Sequence, residues 1–243
     1  MPVSIVRRHA FKALAAATVL VSVMIAAPLV MAAASPVPSM PAAPANARSL
    51  ARFDSTRVDL VAGGSEARYR AQETLSGRGF NEAVGRTSGV QGAIVLGGDG
   101  SVVADQSKIS VEMTTLTSDS STRDNFIKRN TLQTSQYPTA ELTITSVPGL
   151  PMPLPTSGTV SFQLVGDLTV HGVTRPTTWD ATATFADTEV TGTATTTVLI
   201  SDFGMEPPKA GPVLSIEDSI KLELDVKGTV APSIADLLSA PTY

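Results

Sequence analysis

Residues 219–226, SIKLELDV, decide the fold class: Ile220, Leu222, Leu224 and Val226 alternate with Lys221, Glu223 and Asp225. A period of two places the apolar set on one face of a strand and the charged set on the other. One face meets a core and the other meets water. The alternation recurs upstream, where Ala67, Tyr69 and Ala71 oppose Glu66, Arg68 and Arg70, and Ile109, Val111 and Met113 oppose Lys108, Ser110 and Glu112. Further strands are expected at 57–62, 89–96, 140–147, 159–170, 177–185 and 190–200. Eight or more such strands, with polar exteriors and no helical crossovers, imply a closed antiparallel sheet or a sandwich.

One segment breaks the period of two. In residues 120–134, SSTRDNFIKRNTLQT, Ser/Thr stand at the start and Phe126, Ile127 and Leu132 recur at helical spacing, which predicts a short helix on one end of the barrel. A single helical turn is also expected in the tail, with Ser233 as N-cap and Ile234, Leu237 and Leu238 on one side.

The 243 residues, 42% hydrophobic and 16% charged, suffice for one globular domain once the ends are set aside. Four stretches are expected: a signal segment at 1–34, a Pro/Ala-rich linker at 35–48, the barrel at 49–230 and a tail at 231–243. In the first, Arg7, Arg8 and Lys12 precede an uncharged apolar run that ends in Ala32-Ala33-Ala34. That is the order of an export signal with a small-residue cleavage site. A retained membrane anchor is the other reading, since the run reaches the roughly 20 residues a bilayer requires; Pro28 and the many alanines weigh against it. The linker, SPVPSMPAAPAN at its start, has nothing with which to form a core. Either way the chain is expected outside the cytoplasm, in the periplasm, the cell envelope or the medium.

Composition excludes several kinds of chemistry. There is no cysteine, hence no disulfide, thiolate metal site, cysteine nucleophile or lipid-modified cysteine. The formal net charge is −4, and removing the three cations of residues 1–34 leaves −7, a poor match for nucleic acid or an anionic membrane. One histidine, His171, remains after the signal, too few for a zinc site without cysteines. No Gly-x-Ser-x-Gly accompanies it, so a turn role beside Gly172 is the better reading. Gly-rich pieces such as GRGFNEAVG lack phosphate-loop spacing. No catalytic residue, metal or cofactor is assigned. Asp124 and Arg123 open the predicted helix; Asp124 complements its N-terminus and Arg123 pairs with a neighbouring strand, or the two touch a ligand's polar head.

The size of the inward residues is the positive signal. Ala67 and Ala71 are in phase with Tyr69, Ala181 and Ala183 with Trp179, and Gly192 and Ala194 with Val190 and Val198. An eight-stranded barrel lined by small side chains has room for one ligand, and empty space on that scale is unfavourable in a close-packed interior. Loops or the helix filling the gap is the alternative. The expected lining is Tyr69, Ile94, Phe126, Ile127, Leu142, Phe162, Trp179, Ala181, Ala183, Phe185, Gly192 and Ala194.

Three stretches resemble the YceI-like family: RDNFIKRNTLQTSQYPTAEL at 123–142, GDLTVHGVTRPTTWDATA at 166–183 and TVLISDFGM at 197–205. They carry its Arg-Asp pair before a helix, its Tyr-Pro, its Gly-x-Leu-Thr-x-His-Gly-Val-Thr-x-Pro hairpin and its Asp-Phe-Gly-Met run, in order, within a resemblance spanning 58–230. The resemblance implies a lipocalin-like antiparallel barrel that is not an enzyme, exported and binding a polyisoprenoid or quinone tail for storage, transport or sensing. Arg123, Asp124, Tyr137, Pro138, His171, Trp179 and Phe203 are the positions that match, most of them expected to be architectural. The opening departs from the family's form: SEARYRAQETLSGRGFNEAVG stands at 65–85. A lipid-modifying enzyme and a barrel serving a protein partner are the rival functions, and the sequence leaves the oligomeric state open, a homodimer included.

Overall fold

The computed structural model describes residues 55–208 and 213–231. The expected signal segment, the linker and the tail turn lie outside them. Ten strands form one antiparallel sheet: β1 (Ser55–Leu60), β2 (Glu66–Leu75), β3 (Gly79–Thr87), β4 (Val90–Gly97), β5 (Lys108–Glu112), β6 (Thr139–Ser146), β7 (Ser157–Val170), β8 (Val173–Ala186), β9 (Glu189–Leu199) and β10 (Val213–Ala231). β1, β4, β5, β6, β7, β8, β9 and β10 make a ring, closed where β10 pairs with β1 from Gly228↔Leu60 to Ala231↔Arg57. Closure leaves the ring without a free edge.

β2 and β3 extend this wall. The nineteen-residue β10 runs along β9 on one edge, while on the other its residues 213–225 pair with β2 and its residues 228–231 with β1. β1–β2 and β3–β4 are therefore the two arms of one long ribbon, each broken in the middle. The gap between β1 and β2 is bridged to β10 by Val61 N donating to Lys227 O and Lys227 N donating to Ser65 Oγ. At the far end β3 meets the loop after β5 through paired hydrogen bonds between Arg86 and Thr117.

β3 is the strand that periodicity does not reveal. Gly79, Asn81, Glu82 and Gly85 are poor strand formers, and its conformation comes from pairing with β2. Gly85 sits directly opposite Tyr69, whose ring covers it so closely that a Cβ there would lie 2.1 Å from Cε1. The glycine makes room for the aromatic ring.

The predicted helix is present but shorter: α1 (Ser121–Phe126) continues into a π-helical turn, Ile127–Thr131. Ser120 caps it, its Oγ accepting from Arg123 N at 3.3 Å. No helix among the described residues is long and apolar enough to cross a membrane.

The β7–β8 hairpin turns on His171 and Gly172, at φ 52° and 74°. Two successive positive φ values define the type I′ turn that matches strand twist. The His171 ring meets Tyr137 edge-on at 4.6 Å, and Tyr137 lies against Gly172. These family-pattern residues hold the turn onto the segment before β6.

Candidate functional site: an apolar chamber at one end of the barrel

The barrel interior is divided. One end contains a chamber of 550 Å³, within the range of ligand pockets. The other contains a separate void of 80 Å³.

Alternation on β2 builds one wall of the chamber, pointing Ala67, Tyr69, Ala71, Glu73 and Leu75 inward. Ala83 from β3 and Ala140 from β6 keep the neighbouring walls low, and Trp179 from β8 supplies a large flat surface. Trp179 is buried, its Nε1 donating to Thr177 Oγ1 at 3.0 Å. Phe126 and Ile127 reach the chamber from α1 and the turn after it. Phe203 and Met205 enter from the segment following β9.

One corner is charged. Glu73 is 2% exposed, although the residues that share its face of β2 are alanine, tyrosine and leucine. A buried carboxylate requires partners, and two donors converge on Oε1: Arg123 Nη2 at 3.0 Å and Asn81 Nδ2 at 2.7 Å. Arg123 also binds Asp119. Burial alone would lower the Arg123 pKa, but Asp119 and Glu73 outweigh it and raise the value. The Tyr69 phenol is pushed up to about 12, chiefly by burial, with Arg123 acting against the shift and Asp124, Glu73 and Asp119 with it. It is thus a neutral hydroxyl at physiological pH and no ready proton acceptor.

Of the residues expected to line a cavity, Tyr69, Phe126, Ile127, Leu142, Trp179 and Arg123 come together around the chamber. Asp124 is not on its wall; it accepts from Ser118 Oγ at 2.6 Å. Ile94, Phe162, Ala181, Ala183, Phe185, Gly192 and Ala194 surround the smaller void instead. There the space beside the small residues is taken by Leu150 and Leu154 of the β6–β7 loop and by Phe162, packed against Ala183, Phe185 and Val190. Glu73 and Phe203 are chamber residues that sequence reasoning did not assign to the lining. For Glu73 the signal was available, since it shares the phase of Tyr69 and Ala71; for Phe203 it was not, because it lies in a 3₁₀ turn with no strand period. No group of three His, Asp or Glu able to hold a metal ion occurs among the described residues.

An eight-stranded antiparallel ring around an apolar chamber defines a lipocalin-like barrel. The chain belongs to the YceI-like family, whose domain model matches residues 53–228. UPF0312 proteins of Pseudomonas putida are 33% to 34% identical over 131 residues, 50% of this chain and 62% of theirs, so the match spans less than two thirds of those relatives. Among solved structures, a polyisoprenoid binding domain from Saccharophagus degradans, implicated in plant cell wall breakdown, aligns with a TM-score of 0.55 at 10% identity, over 72% of this chain and 98% of that one. BcnA of Burkholderia cenocepacia aligns with a TM-score of 0.52 at 12% identity, over 72% and 100%. At such identities the likeness speaks for the fold.

Proposed function

We propose that the protein binds one long apolar lipid of the isoprenoid type in the 550 Å³ chamber, as an exported carrier or store and without chemical turnover. The chamber itself carries the reading: it is walled mostly by aliphatic and aromatic side chains, with the Glu73–Arg123 ion pair at one corner. Each buried methylene contributes about 0.8 kcal/mol, and association costs about 4–15 kcal/mol, so roughly fifteen buried carbons are needed for useful affinity. An isoprenoid chain reaches that number; a short fatty acid does not. The Saccharophagus domain, named for polyisoprenoid binding, supports the same class of ligand.

In this assignment Tyr69, Phe126, Ile127, Leu142 and Trp179 contact the chain, while Arg123 and Glu73 face its polar end. The residues around the small void pack the closed end. The order of charged, apolar and small residues in 1–34 supports export. Organic extraction of the purified protein followed by mass spectrometry is the test. A stoichiometric prenyl lipid is the expected result; a protein that carries none and takes up no long-chain prenol when offered it overturns the reading.

A further inference from the structure

We propose that Ile109 and Leu224 form a septum that sets the length of the lipid chain the barrel accepts; this rests on the chamber being the lipid site. Among the described residues, these two alone line both the 550 Å³ chamber and the 80 Å³ void. They are 2% and 4% exposed and belong to one buried cluster with Trp179, Leu142 and Ala194. The barrel is therefore interrupted at their level, and the septum forms the chamber's floor.

Register gives the depth. Leu224 pairs with Ala67, and the charged corner at Glu73 lies six residues further along β2. At about 3.3 Å per residue that is roughly 20 Å along the strand. Volume gives a matching limit: at about 30 Å³ for a water-sized group, 550 Å³ holds roughly eighteen such groups. A methylene is of comparable size, so the chamber takes on the order of four isoprene units. Carbons beyond these gain nothing from the chamber.

Affinity should accordingly rise with chain length and then level off. Each carbon buried before the plateau tightens binding roughly fourfold. Leu224→Ala removes half of the septum and joins the two spaces. The added 80 Å³, with the deleted side chain, equals about one further isoprene unit. Ile109→Val opens the floor less and keeps the test available if the larger truncation prevents folding. Adding Ala183→Phe to Leu224→Ala refills the lower space from β8.

The experiment measures displacement of a fluorescent polyprenyl probe by unlabelled prenols of about ten to forty carbons, on wild type and the three variants. The wild type is expected to reach its plateau near twenty carbons. Leu224→Ala should move the plateau out by about one isoprene unit and improve binding of that longer chain at least tenfold relative to wild type. Ile109→Val should move it part of the way, and Ala183→Phe should restore the wild-type plateau. Affinity that climbs steadily to forty carbons, or a plateau unmoved in both septum variants, overturns the septum while leaving lipid binding intact. Absence of prenol binding at every length in wild type removes the lipid reading, and the septum with it.

Discussion

The two ends of this barrel share β5, β7, β8, β9 and β10 and the same alternation, with β2 and β3 completing one end and β1 and β4 the other, yet one is hollow and the other closed. Both have small inward residues: Ala67, Ala71, Ala83 and Ala140 around the chamber, Ala181, Ala183, Gly192 and Ala194 around the void. The difference lies in what faces them. At the closed end Phe162, Phe185, Leu150 and Leu154 occupy the space the small residues leave. At the open end α1 and the segment after β9 contribute to the wall without filling the interior. A small inward side chain therefore reports room in the barrel only when no bulky partner on another element is placed to use it.

Truncation at the closed end tests this contrast most severely. Phe185 is 5% exposed within its cluster, so Phe185→Ala should lower stability by about 3–5 kcal/mol, as aromatic deletions in cores do. Chemical denaturation measures the loss. Bound lipid should be retained in the protein that remains folded, and loss of binding at unchanged stability would show that the chamber extends to this end.

Insertion of bulk separates the ends by sign. Ala183→Phe enters a packed region and should cost about 1–3 kcal/mol in the lipid-free protein, with lipid retention unaltered. Ala71→Phe projects into the chamber. It should leave the lipid-free melting temperature unchanged or raised, and weaken prenol binding by more than tenfold. Paired melting and retention measurements on the two variants decide the matter, and equal behaviour would erase the distinction.

The smallest effect is expected on the outer face of the chamber wall. Glu223 on β10 accepts from Arg68 Nε at 3.1 Å and Arg70 Nε at 3.0 Å on β2, and pairs with Lys221 at 2.9 Å. Burial alone would raise its pKa, but hydrogen bonds from Lys221, Arg70 and Arg68 outweigh this and hold it at about 2, below the ordinary 4.5. The unfolded chain binds the proton more readily than the folded one, so the network contributes stability above about pH 4.5 that is lost as pH falls towards 2. Glu223→Gln should flatten the fall in melting temperature across this window. A wild-type melting temperature unchanged between pH 5 and about 2.5 would show that the network does not hold β2 to β10.

Much of the architecture was legible because a half-buried strand leaves a two-residue period that needs no knowledge of its partners. β10, β5 and β2 announce themselves in this way, and Ser120 marks the start of α1 through its capping chemistry. β3 was not legible, since its residues are poor strand formers and its pairing with β2 supplies the conformation. Of the expected lining, Tyr69, Leu142 and Trp179 border the chamber. Their separation from Ala183 and Ala194, on the same phases of the same sheet, was not visible in any local pattern.

By itself the sequence determined which face of each strand is apolar, where the turns fall, and the family motifs at 123–142, 166–183 and 197–205, because these depend on side chains a few positions apart. Only the tertiary structure decided where the barrel is hollow. That depends on side chains far apart in the chain meeting across the interior, as Leu150 and Phe162 do at Ala183 and Arg123 at Glu73. Periodicity records direction; volume is settled by what arrives from the opposite wall.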